Sequence, residues 1–238
     1  KIGDRVATLA MNHADHVVTW FGLMNMGVVC HTINMRLFDE QIIYMLNHAN
    51  DRWIIADPQF KPIVDRIRGQ LTSVERVVYY NAINGQATLD KNECFDELVN
   101  NNYPNAPWGQ FDERTPAALC YTSGTTGHPK GVLYSHRSQV LHTMMLSPPD
   151  AVGLSETDVL LVVVPMFHAN GWGMPFAAAI SGARLILPGP RLDPQSLYEL
   201  MEAEKVTISA AVPTVWQALL DYLRKEKLKL TTLKQVLI

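Results

Sequence analysis

Apolar positions along the first 80 residues change period from two to between three and four and back again. Residues 5–11 read as a short apolar strand. Val17, Trp20, Phe21, Met24 and Val28 then recur at steps of three and four, which predicts a helix capped by Asn12 and ending near Gly27. A second strand runs on to Ile33. Asp39 is placed to cap a helix over 40–47, with Ile42, Ile43, Leu46 and Ala49 as its apolar stripe. Residues 53–56 read as a buried strand, 58–71 as a helix with Pro58 in its first turn, and 76–80 as a fourth strand. Strands separated by helices of this length predict βαβ units and a parallel sheet.

The pattern lapses over 81–112, which is rich in Asn and carries Pro104, Pro107 and Gly85. It reads as a long surface connection with one short helix near 95–99. Two apolar runs, 117–121 and 132–134, then flank a polar stretch and predict strand, hairpin loop, strand. A helix over 135–145 stops at Pro148-Pro149. Residues 159–164 are all apolar and mostly β-branched, as expected of a strand buried on both faces. Further strands are expected at 183–187, 206–212 and near the end of 231–238. Helices are expected at 194–204, capped by Asp193, and at 213–223, with Pro213 at the first position. The fold class is therefore α/β: two lobes of mainly parallel sheet flanked by helices. A Pro/Gly/Ser/Asp cluster near 148–156 divides them into 1–150 and an incomplete 157–238.

Composition narrows the class. Hydrophobic residues make up 47% and charged residues 18%, so the chain can bury a core. A net charge of −3 without a basic stripe argues against a nucleic-acid partner. Cys30, Cys94 and Cys120 have neither zinc spacing nor an even count, and read as reduced thiols of a cytoplasmic protein. The apolar run 159–167 is interrupted by Pro165 and is far too short for a transmembrane segment. The chain opens at the edge of a strand and closes inside an apolar run, so both ends read as cut.

The chemistry concentrates in the polar hairpin. Thr122, Ser123, Gly124, Thr125, Thr126 and Gly127 are followed by His128-Pro129-Lys130-Gly131. Glycine admits positive φ and close approach of backbone to a ligand. Successive N–H groups form a concavity for anions, and Lys130 adds a point charge suited to phosphate. A Walker loop needs Gly-Lys-[Ser/Thr] leading into a helix, whereas Lys130 follows Pro129 and precedes a strand. A dinucleotide fingerprint fails for want of a glycine at position 122. A plain hairpin explains neither the hydroxyl density nor the Pro-Lys-Gly.

The stretch 121–132 resembles the signature loop of the adenylate-forming superfamily, which includes acyl-CoA synthetases and luciferases. In that family the loop wraps the β- and γ-phosphates of ATP, and the residue matching Thr122 helps hold Mg2+. Pro165-Met166-Phe167-His168-Ala169-Asn170-Gly171-Trp172-Gly173 resembles the family's acyl-site motif. The resemblance places His168 beside the carboxylate being activated and Trp172 at an aromatic gate, with Gly171 and Gly173 beside it. Alone, His168 would read as a structural histidine and Trp172 as core. His31-Thr32-Ile33-Asn34-Met35-Arg36-Leu37-Phe38 resembles a segment of medium- and long-chain fatty-acid–CoA ligases, with Met35 in place of a proline. That branch includes ligases for 3-methylthiopropionate.

The resemblance implies a two-step ligase that uses ATP, a carboxylic acid and coenzyme A. It also implies an adenine loop, a magnesium glutamate and a C-terminal lysine beyond Ile238, and it leaves the oligomeric state open, a homodimer being one candidate. Without those the stretch in hand is expected to be inactive by itself. A free amino-acid substrate would need an acidic residue within 165–173, and none is there. The rival from another class is a nucleotide-binding module without catalysis.

Overall fold

The computed structural model describes residues 1–80, 94–100, 108–122 and 128–238. The chain divides into two compact units, Lys1–Ala10 with Asp15–Ser138, and Met11–Ala14 with Gln139–Ile238.

The first unit holds β1 (Arg5–Leu9), α1 (Ala14–Asn25), β2 (Val29–Thr32), α2 (Asp39–Ala49), β3 (Trp53–Ala56), α3 (Lys61–Ile67) and β4 (Arg76–Tyr79). After these come α4 (Phe95–Asn100), β5 (Pro116–Thr122), β6 (Lys130–Ser135) and the start of α5 (His136–Leu146), which continues into the second unit. The strands make one sheet in the order β4-β3-β1-β2-β5-β6. Every described pairing is parallel except β5 with β6, which is antiparallel. Helix α2 forms because Ile42, Met45, Leu46 and Ala49 recur on one face: the first three are buried in the core that Leu9, Ile33 and Ile54 build, and Ala49 is buried with Val29 and Leu119.

Two expected caps are not made. Asp39 is the first helical residue of α2 and its carboxylate pairs with Arg66, at 2.8 Å; Phe38 holds the N-cap position, and its N–H donates to Gln41 Oε1. Asn12 does not cap α1, because its side chain is engaged with backbone far along the chain, described below. The helix expected over 58–71 is α3 with a 3-10 turn at each end, Pro58–Phe60 and Arg68–Gln70. Of the expected connection 81–112, residues 81–93 and 101–107 lie outside the described ones.

The second unit contains β7 (Val159–Val162), a one-turn segment α6 (Ala169–Trp172), α7 (Met174–Ser181), β8 (Arg184–Ile186), α8 (Pro194–Glu204), β9 (Ile208–Ala210), α9 (Pro213–Glu226) and β10 (Gln235–Leu237). The four strands are all parallel, in the order β10-β9-β7-β8. Leu160, Val162 and Val164 pack with Met174 and Ala177 of α7. Leu161 and Val163, on the opposite face, pack with Leu197 and Met201 of α8 and Leu219 of α9. Both faces of β7 are thus covered, which is why its run is apolar at every position. Asp193 caps α8 as expected, accepting the Ser196 N–H at 3.0 Å. Among the described residues Cys30, Cys94 and Cys120 form no disulfide, and the first and last are buried. No described helix is long and apolar enough to cross a membrane.

Candidate active site

The polar hairpin joins β5 to β6. Antiparallel register sets Tyr121 opposite Gly131 and Thr122 opposite Lys130. Strand β5 runs parallel to β2, so the connection leaves from the carboxyl edge of the sheet, where α/β proteins bind ligands. Thr122 and Lys130 are both exposed and are paired in register at this open end, one contributing a hydroxyl and the other a cation. Ser123, Gly124, Thr125, Thr126 and Gly127 lie outside the described residues. Gly131 has a steric reason to be glycine: a Cβ there would stand 3.2 Å from Tyr121 Cζ and 3.1 Å from Leu119 Cδ1. The Tyr121 ring therefore lies over bare backbone. Burial pushes its phenol up to about 12, so it stays a neutral hydroxyl at physiological pH.

A hydroxyl and a cation suit a polyphosphate. Thr122 alone is a single neutral oxygen donor, and no three described His, Cys, Asp or Glu side chains cluster. Magnesium would therefore fit here only with the nucleotide's oxygens and waters completing its sphere.

The second candidate stretch belongs to the other unit. Strand order reverses at β7: β8 lies on one side of it and β9 on the other. The carboxyl end of such a strand is the expected ligand crevice, and residues 165–173 follow β7 directly. The backbone at this exit is held from both sides. Val163 and Val164 donate their N–H groups to Ala210 O, each at 3.0 Å. Asn12 Nδ2 donates to Val162 O at 2.9 Å and Val164 O at 2.8 Å, and Asn12 Oδ1 accepts the Met166 N–H at 2.9 Å.

Beyond Met166 the chain makes a left-handed turn. Ala169, Asn170, Gly171, Trp172 and Gly173 have φ of 43°, 52°, 58°, 55° and 73°. The Gly171 N–H bonds His168 O and the Gly173 N–H bonds Asn170 O, both at 3.0 Å. For L-residues this backbone costs about 1–2 kcal/mol each, so Ala169 and Trp172 are strained. Strain of this kind persists only where surrounding structure enforces it, and it gathers at functional sites. His168 is exposed, Trp172 is half-buried against the α7 face of the sheet, and Asn170 is buried. The turn thus brings all six candidate acyl-site residues into one tight segment.

Sequence reading gave Asn12 only a capping role, because its partners lie about 150 positions away, and it passed over His142 of α5. His142 Nε2 sits 3.3 Å from Trp172 O, and a Cβ on Gly173 would stand 2.7 Å from His142 Cδ2. The signal for the turn was present in Gly171-x-Gly173, two glycines spaced for positive φ.

The profile of the AMP-binding enzyme family matches residues 1–238, the whole chain. The 3-methylmercaptopropionyl-CoA ligase of Ruegeria lacuscaerulensis is 46% identical over 237 residues, which are 99% of this chain and 44% of that protein. The medium-chain-fatty-acid–CoA ligase of Ectopseudomonas oleovorans is 48% identical over 219 residues, covering 91% of this chain and 40% of that one. The chain thus spans less than half the length of these relatives. An anthranilate–CoA ligase solved with anthranoyl-AMP superposes with a TM-score of 0.86 over 99% of this chain and 45% of its own, at 24% identity, a likeness of fold.

Proposed function

The chain belongs to the AMP-binding enzyme family, and from that premise we propose that its protein is an acid–thiol ligase that activates a carboxylic acid with ATP. In the first step the acid's carboxylate oxygen attacks the α-phosphorus of ATP. The α–β phosphoanhydride bond breaks, giving acyl-AMP and pyrophosphate. In the second, the coenzyme A sulfur attacks the acyl carbon, AMP departs with the bonding electron pair, and the thiol proton is released. Chemistry of this kind depends on holding and neutralising phosphate oxygens more than on a protein nucleophile.

The observation that carries this reading is Thr122 opposite Lys130 at the mouth of the hairpin whose connecting residues are Ser123, Gly124, Thr125, Thr126 and Gly127. These residues are proposed to hold the β- and γ-phosphates, with Thr122 also contacting magnesium, which would neutralise phosphate charge. His168 is proposed to orient the carboxylate, and Ala169, Asn170, Gly171, Trp172 and Gly173 to wall the acyl site, Trp172 as its gate. A fatty acid is the substrate class this reading favours. 3-Methylthiopropionate is its alternative, because relatives named for both acids are similarly identical to the chain. A cytoplasmic location and a homodimer complete the proposal.

The test is acid-dependent pyrophosphate release by the intact protein across a panel of acids, with and without coenzyme A. Lys130→Ala should raise the KM for ATP about 10- to 100-fold, the worth of a charge-assisted hydrogen bond, and leave the KM for the acid nearly unchanged. ATP binding without pyrophosphate release from any acid would favour a non-catalytic nucleotide module. Equal ATP dependence of mutant and wild type would overturn the role of Lys130.

A further inference from the structure

Helix α2 carries Tyr44 and His48 one turn apart, outside the stripe that anchors it. The Tyr44 ring stacks on His128, with centroids 4.4 Å apart and planes 19° from parallel. It also stacks on His48, at 5.2 Å and 18°. His48 Nδ1 lies 2.6 Å from the Tyr121 hydroxyl. Tyr121 is the penultimate residue of β5, and His128 comes two residues before β6. One helix therefore touches both sides of the connection between these strands.

Neither contact rests on a loose support. Ile42, Met45, Leu46 and Ala49 bury the opposite side of α2 at 4% exposure or less. The Tyr121 ring is seated against His31, with centroids 5.1 Å apart, and against the bare backbone of Gly131. Neither the proposed phosphate contacts nor the acyl-site residues account for the ring contacts of Tyr44, which is half-buried at the edge of the core, or of His48, which is exposed.

We propose that Tyr44 and His48 are positioning residues that clamp the two roots of the phosphate-binding hairpin at a fixed separation. The inference rests on the reading of that hairpin as the ATP site. The physical gain is preorganisation. Contacts that hold Tyr121 and His128 in place before a polyphosphate arrives leave less ordering to be done on binding, so more of the contact energy appears as affinity. The expected effect of the clamp is on ATP, the ligand proposed for the hairpin it holds.

The test uses the intact protein with Tyr44→Ala, His48→Ala, the double variant, and Tyr44→Phe as the conservative control. An aromatic pair is worth enough to raise the KM for ATP roughly 3- to 10-fold in each alanine variant, and more in the double. The KM values for acid and coenzyme A should stay at wild-type levels, with Tyr44→Phe close to wild type; Tyr44→Ala lowers the Tm through lost core packing, whereas His48→Ala, at an exposed side chain, leaves it unchanged. His48→Ala and Tyr121→Phe should be non-additive, since each removes the same contact. Hydrogen exchange across 122–130 without nucleotide should quicken in the double variant. Unchanged ATP KM and unchanged exchange would overturn the clamp. So would a parallel rise of all three KM values in His48→Ala, which marks a merely structural contact. If the wild type releases no pyrophosphate, the ligase reading fails, and the exchange comparison still decides the clamp: quickened exchange supports it and unchanged exchange overturns it.

Discussion

Asn12 and Val164, 152 positions apart, are joined by a buried hydrogen bond of 2.8 Å from the Asn12 amide to the Val164 carbonyl. The same side chain bonds Val162 O and the Met166 N–H, so one amide uses both ends to fix the exit of β7. Removing it strips partners from buried backbone groups, which costs about 1–3 kcal/mol. Asn12→Ala should lower the urea midpoint accordingly and raise the KM for the acid more than that for ATP. Asn12→Asp should fare no better, because it keeps the acceptor for Met166 and turns a carboxylate oxygen on two carbonyls. Unchanged midpoints in both variants would remove Asn12 from the support of this segment.

Much of the fold was legible because its signals are local. The apolar run of β7, the Asp193 cap of α8 and the Pro213 start of α9 each sit within a few residues of the structure they specify. The Ser/Thr/Gly hairpin was legible for the same reason. Asn12 was misread as a helix cap because its partners are supplied by tertiary structure. Tyr44 and His48 were passed over because periodicity assigns them to a solvated helix face, and only the β5–β6 pairing brings ring partners there. The left-handed turn through Ala169 and Trp172 contradicts local preference, so the sequence signals only its two glycines.

The motif that includes His31 hides a second buried relationship. His31 Nδ1 lies 2.6 Å from Asp51 Oδ2, and both side chains are fully buried. Among the described residues His31 Nε2 and Asp51 Oδ1 have no hydrogen-bond partner. Burial pushes the Asp51 carboxyl up, against the pull of His31. Removing one member strands the other in the core, so His31→Leu or Asp51→Leu alone should cost about 3–5 kcal/mol. The double leucine variant should regain most of that loss, because a packed apolar pair replaces an imperfectly satisfied polar one. Urea unfolding of the four proteins closes the cycle, and additive losses would show that the two side chains do not act as a pair.

Acid sensitivity should be traceable in part to Asp158 at the start of β7. Its carboxylate accepts the Ser155 N–H at 3.1 Å, the Ser155 hydroxyl at 2.7 Å and the Thr207 hydroxyl at 2.9 Å. Burial alone would raise its pKa, but these hydrogen bonds favour the charged form and hold it below the ordinary value of 3.8. A depressed carboxylate contributes stability that is fully present above 3.8 and lost as pH falls through the lower folded value. Asp158→Asn should lower stability at pH 7 by about 1–2 kcal/mol and flatten the acid limb that begins as pH falls below the ordinary value of 3.8. Urea midpoints for both proteins across that limb check the prediction, and parallel acid limbs would contradict it.

Gly173 closes the left-handed turn under two separate constraints, and two substitutions separate them. Its φ of +73° disfavours any L-residue, by about 1–2 kcal/mol for alanine. An added Cβ would also meet His142, at 2.7 Å from Cδ2 and 2.8 Å from Nε2. His142 is exposed on α5, so its ring can swing away, but only by giving up its contact with Trp172 O. Gly173→Ala should therefore lose the backbone term plus a smaller steric one. His142→Ala in that background should restore the steric part alone. The turn carries Trp172, so the same alanine should shift the acid chain-length profile of the intact protein, and the second substitution should not return it to wild type. Full recovery of stability in the double variant would mean that the His142 contact, rather than the backbone conformation, is what requires glycine at 173.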